Sequence, residues 1–492
     1  MSTDDGSGSS GGPAPNARPT VPVTALFVLA LGLTAGCVLM RWMAPQSTEL
    51  GAWSLDKPLA TAVRVLEVDL AIDEALDGSR YESLCGVFLG LAGEPLREVI
   101  DAYGDMLATS ASALATAQDD PERIQAQAEA VAELRLRRIV LLGEAGRRDE
   151  AQSSLEALDD GDPALRAALR SVYALGAAAR IEARPAALDR WQPGWARERL
   201  ELRIAEQRGV ADAQRATIAS ERATLRTRLE RLTLARAIPT LLGLAALCAW
   251  LLRNRPPLVQ STASVPPAWS WQDGYAVLLI SALAGLSIDL VVVLAAEGLG
   301  AGFLAPWAAV VASIPMIVWM RTRLLRPNAQ TFPRALGLTL PGSVVRWACV
   351  FLALFAASEI GSAAIDSVSR ALGAQEHWSR LVSERLLWST RTEFALWSID
   401  LAVWRPILEE IGFRGLVYLT FRRRFGPVAA ALMCAGLFAA IHPVSFAGQL
   451  SIIWKGLVLA AGVELTKSLV PAMACHAFAN ALALVFISAL YR

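Results

Sequence analysis

Polar and apolar positions along the 492-residue chain fall into blocks with different periods. Residues 1–20 are small, polar and rich in Gly, Pro and Ser, a composition that predicts disorder. The apolar run that follows, 21–41, is long enough to cross a hydrocarbon core of about 30 Å. LTAGC at 33–37 loosely matches a lipoprotein cleavage box, but Arg18 is the only basic residue before it and Thr34 suits the box poorly, which favours a retained anchor. Residues 42–236 are polar with helical periodicity and no alternation of the sheet type. Within them, 141–158 (LLGEAGRRDEAQSSLEAL) has the form of one tetratricopeptide-like hairpin, with no second copy at the expected period. From Trp195 onward Ile204, Ala211, Ile218, Leu225 and Leu232 recur every seven residues, which predicts a long coiled-coil-like helix. That helix would serve either as a dimer stalk through 195–236 or as one member of a soluble bundle.

From 237 to 492 the pattern becomes apolar. Spans are predicted at about 237–252, 274–296, 302–320, 343–364, 393–421, 427–442, 449–465 and 468–490. The fold class expected is therefore all-α: a polytopic helical membrane protein carrying an extramembrane helical domain. Composition agrees, with 54% hydrophobic residues and a mean hydropathy of +0.40. Acidic and basic residues balance at 46 each, so no net field points to nucleic acid. Lys57, Lys455 and Lys467 are the only lysines, an Arg bias that reads as the coding preference of a GC-rich bacterial genome. If the spans alternate, the Arg-bearing segments 253–255, 321–326 and 421–424 share one side, and the positive-inside rule makes that side cytoplasmic. Residues 42–236 then lie outside the cytoplasm, with the chain in a bacterial inner membrane. Five of the six cysteines lie in apolar runs and Cys85 stands alone in the polar part, so no disulfide framework is expected.

Charged groups inside the apolar runs carry the chemistry, because ionisable residues are costly in lipid and face an interior or a wet cavity. Glu409, Glu410 and Arg414 lie in PILEEIGFRG, Phe438 and His442 close the next span, and His476 and Asn480 stand in the last. At 1.5 Å per residue the glutamates and His442 both lie roughly 20–24 Å from the turn at Arg422–Arg424. His476 is shallower unless its helix starts deeper or tilts. Neighbouring helical side chains diverge by about 100°, so Glu409 and Glu410 take different roles. Glu410 is well placed to pair with Arg414 at i+4, leaving Glu409 free to act with His442 on a water molecule. His476 and Asn480, also i and i+4, could donate to an oxyanion. Against this stands a purely structural reading in which Arg405 pairs with Glu409 at i+4, both glutamates are paired charges, and the His and Asn side chains bridge helices.

The three motifs, Glu409-Glu410-Ile411-Gly412-Phe413-Arg414, Phe438 to His442 and His476 to Asn480, in this order, resemble those of the CPBP family. This is the group of intramembrane CAAX proteases and bacteriocin-processing enzymes, also called Abi or type II CAAX prenyl endopeptidases. The resemblance covers about 393–490 and leaves 42–236 outside it. It implies peptide hydrolysis within the membrane on a membrane protein or lipid-anchored peptide, with Glu409 and His442 activating water and His476 and Asn480 stabilising the oxyanion. Glu410, Arg414 and Phe438 would support them. No cofactor is expected; zinc, held by Glu409, His442 and His476, is the alternative, although no His-Glu-x-x-His pair is present. A second functional class is a catalytically silent membrane scaffold or sensor whose outer helical domain binds a protein partner.

Overall fold

The computed structural model describes residues 57–79, 82–89, 95–116, 121–158, 162–174, 181–191, 193–252, 261, 263–298, 307–338, 343–372, 384–442 and 444–492. The expected anchor 21–41 lies outside these residues. Every regular element among them is helical, and no strand is present.

The outer domain is built from α1 (Lys57–Leu76), α2 (Glu82–Leu89), α3 (Pro95–Thr116), α4 (Pro121–Glu144), α5 (Arg148–Glu156), α6 (Pro163–Tyr173) and α7 (Trp195–Arg208). The hairpin read at 141–158 forms as α4 and α5, with Gly146 in the left-handed region at φ 74° turning the chain between them. α6 starts where Asp162 accepts a hydrogen bond from Leu165 N at 2.9 Å and Pro163 needs no partner for an amide. Ile139, Leu141, Leu169 and Leu200 are among the buried apolar side chains that hold these helices together.

A charged cluster lies inside that apolar core. Glu67 and Arg137 are both almost fully buried and pair at 2.8 Å. Tyr103 donates to the same Glu67 oxygen at 2.8 Å, and Ala196 N donates to the other at 3.1 Å. Burial, followed by the Glu67 charge, holds the Tyr103 phenol well above its ordinary value, so it stays a donor. A Cβ at Gly194 would fall 2.1 Å from Glu67 Oε2, so any larger residue there would push against the buried carboxylate.

The heptad stripe does not make one stalk. Gly209 takes φ 73° and ends α7, and a second helix, α8 (Asp212–Leu252), runs on from the outer domain into the apolar region. Its stripe is used within the chain. Ile204 belongs to the outer-domain core, while Ala211 and Ile218 pack with Leu202 and Ala205. Leu225 and Leu232 pack on a cluster containing Val65, Ile72, Leu229 and Leu490. The coiled-coil expectation is corrected accordingly, because these apolar positions already have intramolecular neighbours.

The membrane region continues with α9 (Trp271–Gly298), α10 (Ala308–Trp319) and α11 (Val344–Ala371). After the short α12 (Glu384–Trp388), an uninterrupted helical path from 391 to 425 comprises α13 (Arg391–Ile399), a π turn (Asp400–Trp404), α14 (Arg405–Glu410), a second π stretch (Ile411–Tyr418) and α15 (Leu419–Phe425). Then come α16 (Pro427–Ala440), α17 (Phe446–Thr466) and α18 (Val470–Leu490). Among the described residues six helices are long and apolar enough to cross a membrane, which makes this an integral membrane protein. Two predicted spans differ: 393–421 lies in the continuous path that alternates α and π turns, and 427–442 is a 14-residue helix. The segment 321–326, read as a loop, is largely a π turn that extends α10. α8 and α11 pack so closely that a Cβ on Gly243 would fall 1.9 Å from the Leu352 carbonyl oxygen.

Connectors at the two ends of the bundle meet different neighbours. At one end Arg422 pairs with Glu464 at 3.1 Å, Ser261 N donates to Thr466 O at 2.8 Å, and Leu469 N donates to Leu336 O at 3.1 Å. At the other end the last helix reaches the outer domain, where Tyr491 donates to Asp69 at 3.2 Å and Arg228 to the Ala489 carbonyl at 3.2 Å. Cys85, buried against Thr233 at 3.1 Å, belongs to this junction and is closed to labelling reagents.

Replacing Arg137 with Leu leaves the Glu67 charge buried without its cation and should cost roughly 3–5 kcal/mol. Thermal unfolding of the full chain, followed by tryptophan fluorescence, should show the loss, with much of it restored by adding Glu67→Gln. An unchanged transition in the single variant would show that the pair is dispensable.

Candidate active site

Each motif residue is positioned by local helix chemistry. Thr390 and Glu393 form a reciprocal cap that starts the 391–425 path, with Glu393 N donating to Thr390 Oγ1 at 3.2 Å and Thr390 N donating to Glu393 Oε2 at 2.8 Å. Pro406 sits in the first turn of α14, where its missing N–H is least costly because a π turn precedes it. Glu409 and Glu410 follow in the same short helix and point apart. The Glu410 side chain is 0% exposed and that of Glu409 is 19% exposed.

Glu410 is the centre of the buried network. Its Oε1 accepts from Arg414 Nη1 at 2.9 Å and, on the same oxygen, from His476 Nδ1 at 3.0 Å. A carboxylate can only accept, so His476 donates through Nδ1 and turns Nε2 towards Glu409, whose Oε2 lies 3.7 Å away. Glu410 Oε2 and the Arg414 Nε and Nη2 atoms are buried and have no hydrogen-bond partner. The Arg414 guanidinium lies over the Phe438 ring, 4.5 Å from its centroid. Phe438 also makes edge contacts with His442 at 4.7 Å and His476 at 6.0 Å, and so stands between the two imidazoles.

His442 comes just after α16, with its Nδ1 2.7 Å from the Phe438 carbonyl oxygen. A carbonyl oxygen is also acceptor-only, so Nδ1 carries the proton and Nε2 of the neutral ring keeps a lone pair. No hydrogen bond joins His442 to Glu409. Asn480 lies one turn beyond His476 and donates from Nδ2 to the Leu401 carbonyl at 2.8 Å, which occupies one of its two amide hydrogens. Leu469, just before α18, lies beside Gly415, where an added Cβ would sit 3.2 Å from Leu469 Cδ1.

The sequence-predicted residues Glu409, Glu410, Arg414, Phe438, His442 and His476 are thus assembled in one region, with Asn480 adjoining it through the π turn. Arg405 does not pair with Glu409. It turns instead to Asp400, with Nε and Nη2 at 3.2 and 2.9 Å from Asp400 Oδ2. Sequence reasoning missed this pair because the spacing is i to i+5, which a regular α-helix does not bring together and a π turn does. The available signal was an isolated Asp in the apolar run SIDLAVW.

Glu409, His442 and His476 are the residues on which a zinc ion would draw. Among the described residues no group of three or more His, Cys, Asp or Glu side chains is gathered closely enough to hold a metal ion. Of these three, His442 and His476 each hold Nδ1 in a hydrogen bond, to the Phe438 carbonyl and to Glu410, and keep Nε2 outside it, while Glu409 is partly open.

Comparison with curated proteins and with solved structures finds no match. The family model for Rce1-like type II CAAX prenyl endopeptidases matches residues 391–482, a segment that begins at the first residue of α13 and includes all three motifs. The outer domain lies beyond the match. With Glu410, Arg414 and His476 joined inside it, the 391–482 segment is an Rce1-like domain, consistent with the CPBP family of intramembrane proteases.

Proposed function

We propose that this protein is an intramembrane endopeptidase in which Glu409 is the general base for attack of water on a peptide carbonyl. One observation carries the reading: of two adjacent glutamates, Glu410 is neutralised by Arg414 and His476, while Glu409 is partly open and faces His476 Nε2 at 3.7 Å. Glu409 takes a proton from water as the water oxygen bonds to the carbonyl carbon and the C=O electron pair moves onto oxygen. The proton then goes to the leaving amine as the C–N bond breaks. His442 accepts a hydrogen bond from the same water through Nε2, since Nδ1 is held by Phe438 O. His476, with Nδ1 held by Glu410, donates to the oxyanion from Nε2 when both ring nitrogens carry a proton, and Asn480 adds its remaining amide hydrogen. Glu410 and Arg414 act through His476 by fixing the ring. No metal enters this scheme.

The substrate class is a membrane protein or lipid-anchored peptide, as the Rce1-like match suggests, and the outer domain serves to recruit it. We read that domain as lying outside the cytoplasm of a bacterial cell, a reading supported by Arg422–Arg424 at the opposite end of the bundle and by Arg321 and Arg323 in the π turn after α10.

Glu409→Gln, His442→Ala and His476→Ala should each abolish cleavage without impairing membrane insertion, and Asn480→Ala should lower the rate by about 10²–10³. Peptides that accumulate in Glu409→Gln membranes identify the substrate and supply the assay. Wild-type turnover by any of the first three variants would remove that residue from the mechanism. Full cellular function in the Glu409→Gln strain would favour a scaffold instead.

Activity should survive exhaustive chelation, and the purified chain should contain no stoichiometric zinc by elemental analysis. About one zinc per chain, with activity lost on stripping and restored on return, would overturn the metal-free scheme.

Topology is tested with cysteines introduced at two exposed positions, because Cys85 is buried. Asp149→Cys in intact cells should react with an impermeant thiol reagent above the wild-type background, and Arg424→Cys only after lysis. The reverse pattern would invert the protein.

A further inference from the structure

The pair Asp400–Arg405 has no part in water activation or oxyanion binding, yet it lies against both. Asp400 is 0% exposed and Arg405 is 35% exposed, so the acid is buried and the guanidinium is only partly covered. Asp400 uses one oxygen to hold Nε and Nη2 of Arg405, which leaves the Nη1 side of the guanidinium outside the pair. Arg405 and Glu409 are i and i+4 within α14, and therefore on one helical face, about 6 Å apart along the axis. The π turn that brings Asp400 beneath Arg405 also presents the Leu401 carbonyl to Asn480. The pair is thereby fixed at the edge of the candidate active site.

A guanidinium in lipid is costly unless an anion or other polar partner is close by. Asp400 meets that need from the buried side and holds the guanidinium plane in place, so its partly open side can take a second acceptor with little loss of side-chain freedom. Arginine matches a carboxylate with two parallel N–H groups. Without such a cation, a carboxylate beside Glu409 would be repelled. We propose, on the peptidase reading of this site, that Arg405 is the anion-binding group of a substrate subsite. It takes a carboxylate on the bound peptide, from an acidic side chain or a free C-terminus. At about 3.3–3.6 Å per extended residue, the 6 Å offset places that carboxylate about two residues from the bond facing Glu409.

Binding tests this separately from turnover. The probes are dye-labelled apolar peptides carrying one Glu or its Gln replacement, walked along the sequence, each with a free or an amidated C-terminus. Their affinities are measured by fluorescence anisotropy on the full chain in nanodiscs, in a Glu409→Gln background that holds the peptide without the proposed base. An acid at one position, or the free C-terminus, should bind about tenfold more tightly than its neutral counterpart. Arg405→Gln should erase that ratio while leaving the neutral peptides unaffected, and Arg405→Lys should retain part of it. Because Arg405→Gln leaves Asp400 unpaired, the Asp400→Asn/Arg405→Gln double variant, which removes both charges, must give the same loss. Equal affinity for every acidic and neutral pair, or a preference that survives both Arg405→Gln and the double variant, would overturn the proposal. A preference confined to the side-chain probes or to the terminus probes decides which carboxylate is bound.

Discussion

Everything in the candidate site depends on one buried carboxylate oxygen. Glu410 Oε1 receives both Arg414 and His476, from its own helix and from the last one. Taking a carboxylate out of water is costly unless it is paired and hydrogen-bonded, so the apolar interior requires this convergence. Three consequences follow from it. Arg414 becomes a neutralised group lying on Phe438, His476 has its ring plane and tautomer set, and the last helix is tied to the one carrying the glutamates. Glu409 keeps only its looser 3.7 Å contact with His476 Nε2, because its neighbour has engaged the nearby guanidinium.

The helical character of the chain was legible from period alone, since neither the outer domain nor the spans alternate as strands do. So was the pairing of Glu410 with Arg414, because i to i+4 spacing brings the two side chains together. What could not be read were the places where the helix departs from 3.6 residues per turn. The π turn at Asp400–Trp404 redirects Arg405 to Asp400, so pairing by regular spacing named the wrong partner. The heptad stripe misled for a related reason. Its spacing is real, but Gly209 divides it between two helices, and the apolar positions pack against α1 and the last helix. Periodicity reports that a face is apolar without saying which surface covers it.

The outer domain also has a physical link to the chemistry. His476 and Asn480 lie on α18, and the end of that helix packs with Val65, Val68 and Ile72 of α1 and with Leu229 of α8. Arg492 continues the junction by donating to the Leu386 carbonyl at 2.5 Å, and Trp388 donates to Thr61 at 2.7 Å. A helix fixed at both ends, by Glu410 near its start and by the outer domain at its finish, has little freedom to tilt or slide. The polar domain outside the family match therefore helps define where the proposed oxyanion donors stand.

The helical path 391–425 shows why the site tolerates so many polar atoms inside lipid. Each charged group in it faces another across a turn or between helices: Glu410 with Arg414, Asp400 with Arg405, and Glu409 with His476. The first two are local, closed by α and π spacing respectively, and form with the helix itself. The third joins two helices, carries the longest of the three separations at 3.7 Å, and is the one exposed to the site. A water molecule or a peptide carbonyl can enter only where a polar contact is not already closed. The loosest pair is therefore where a polar group can still enter, and the two tight pairs hold its position.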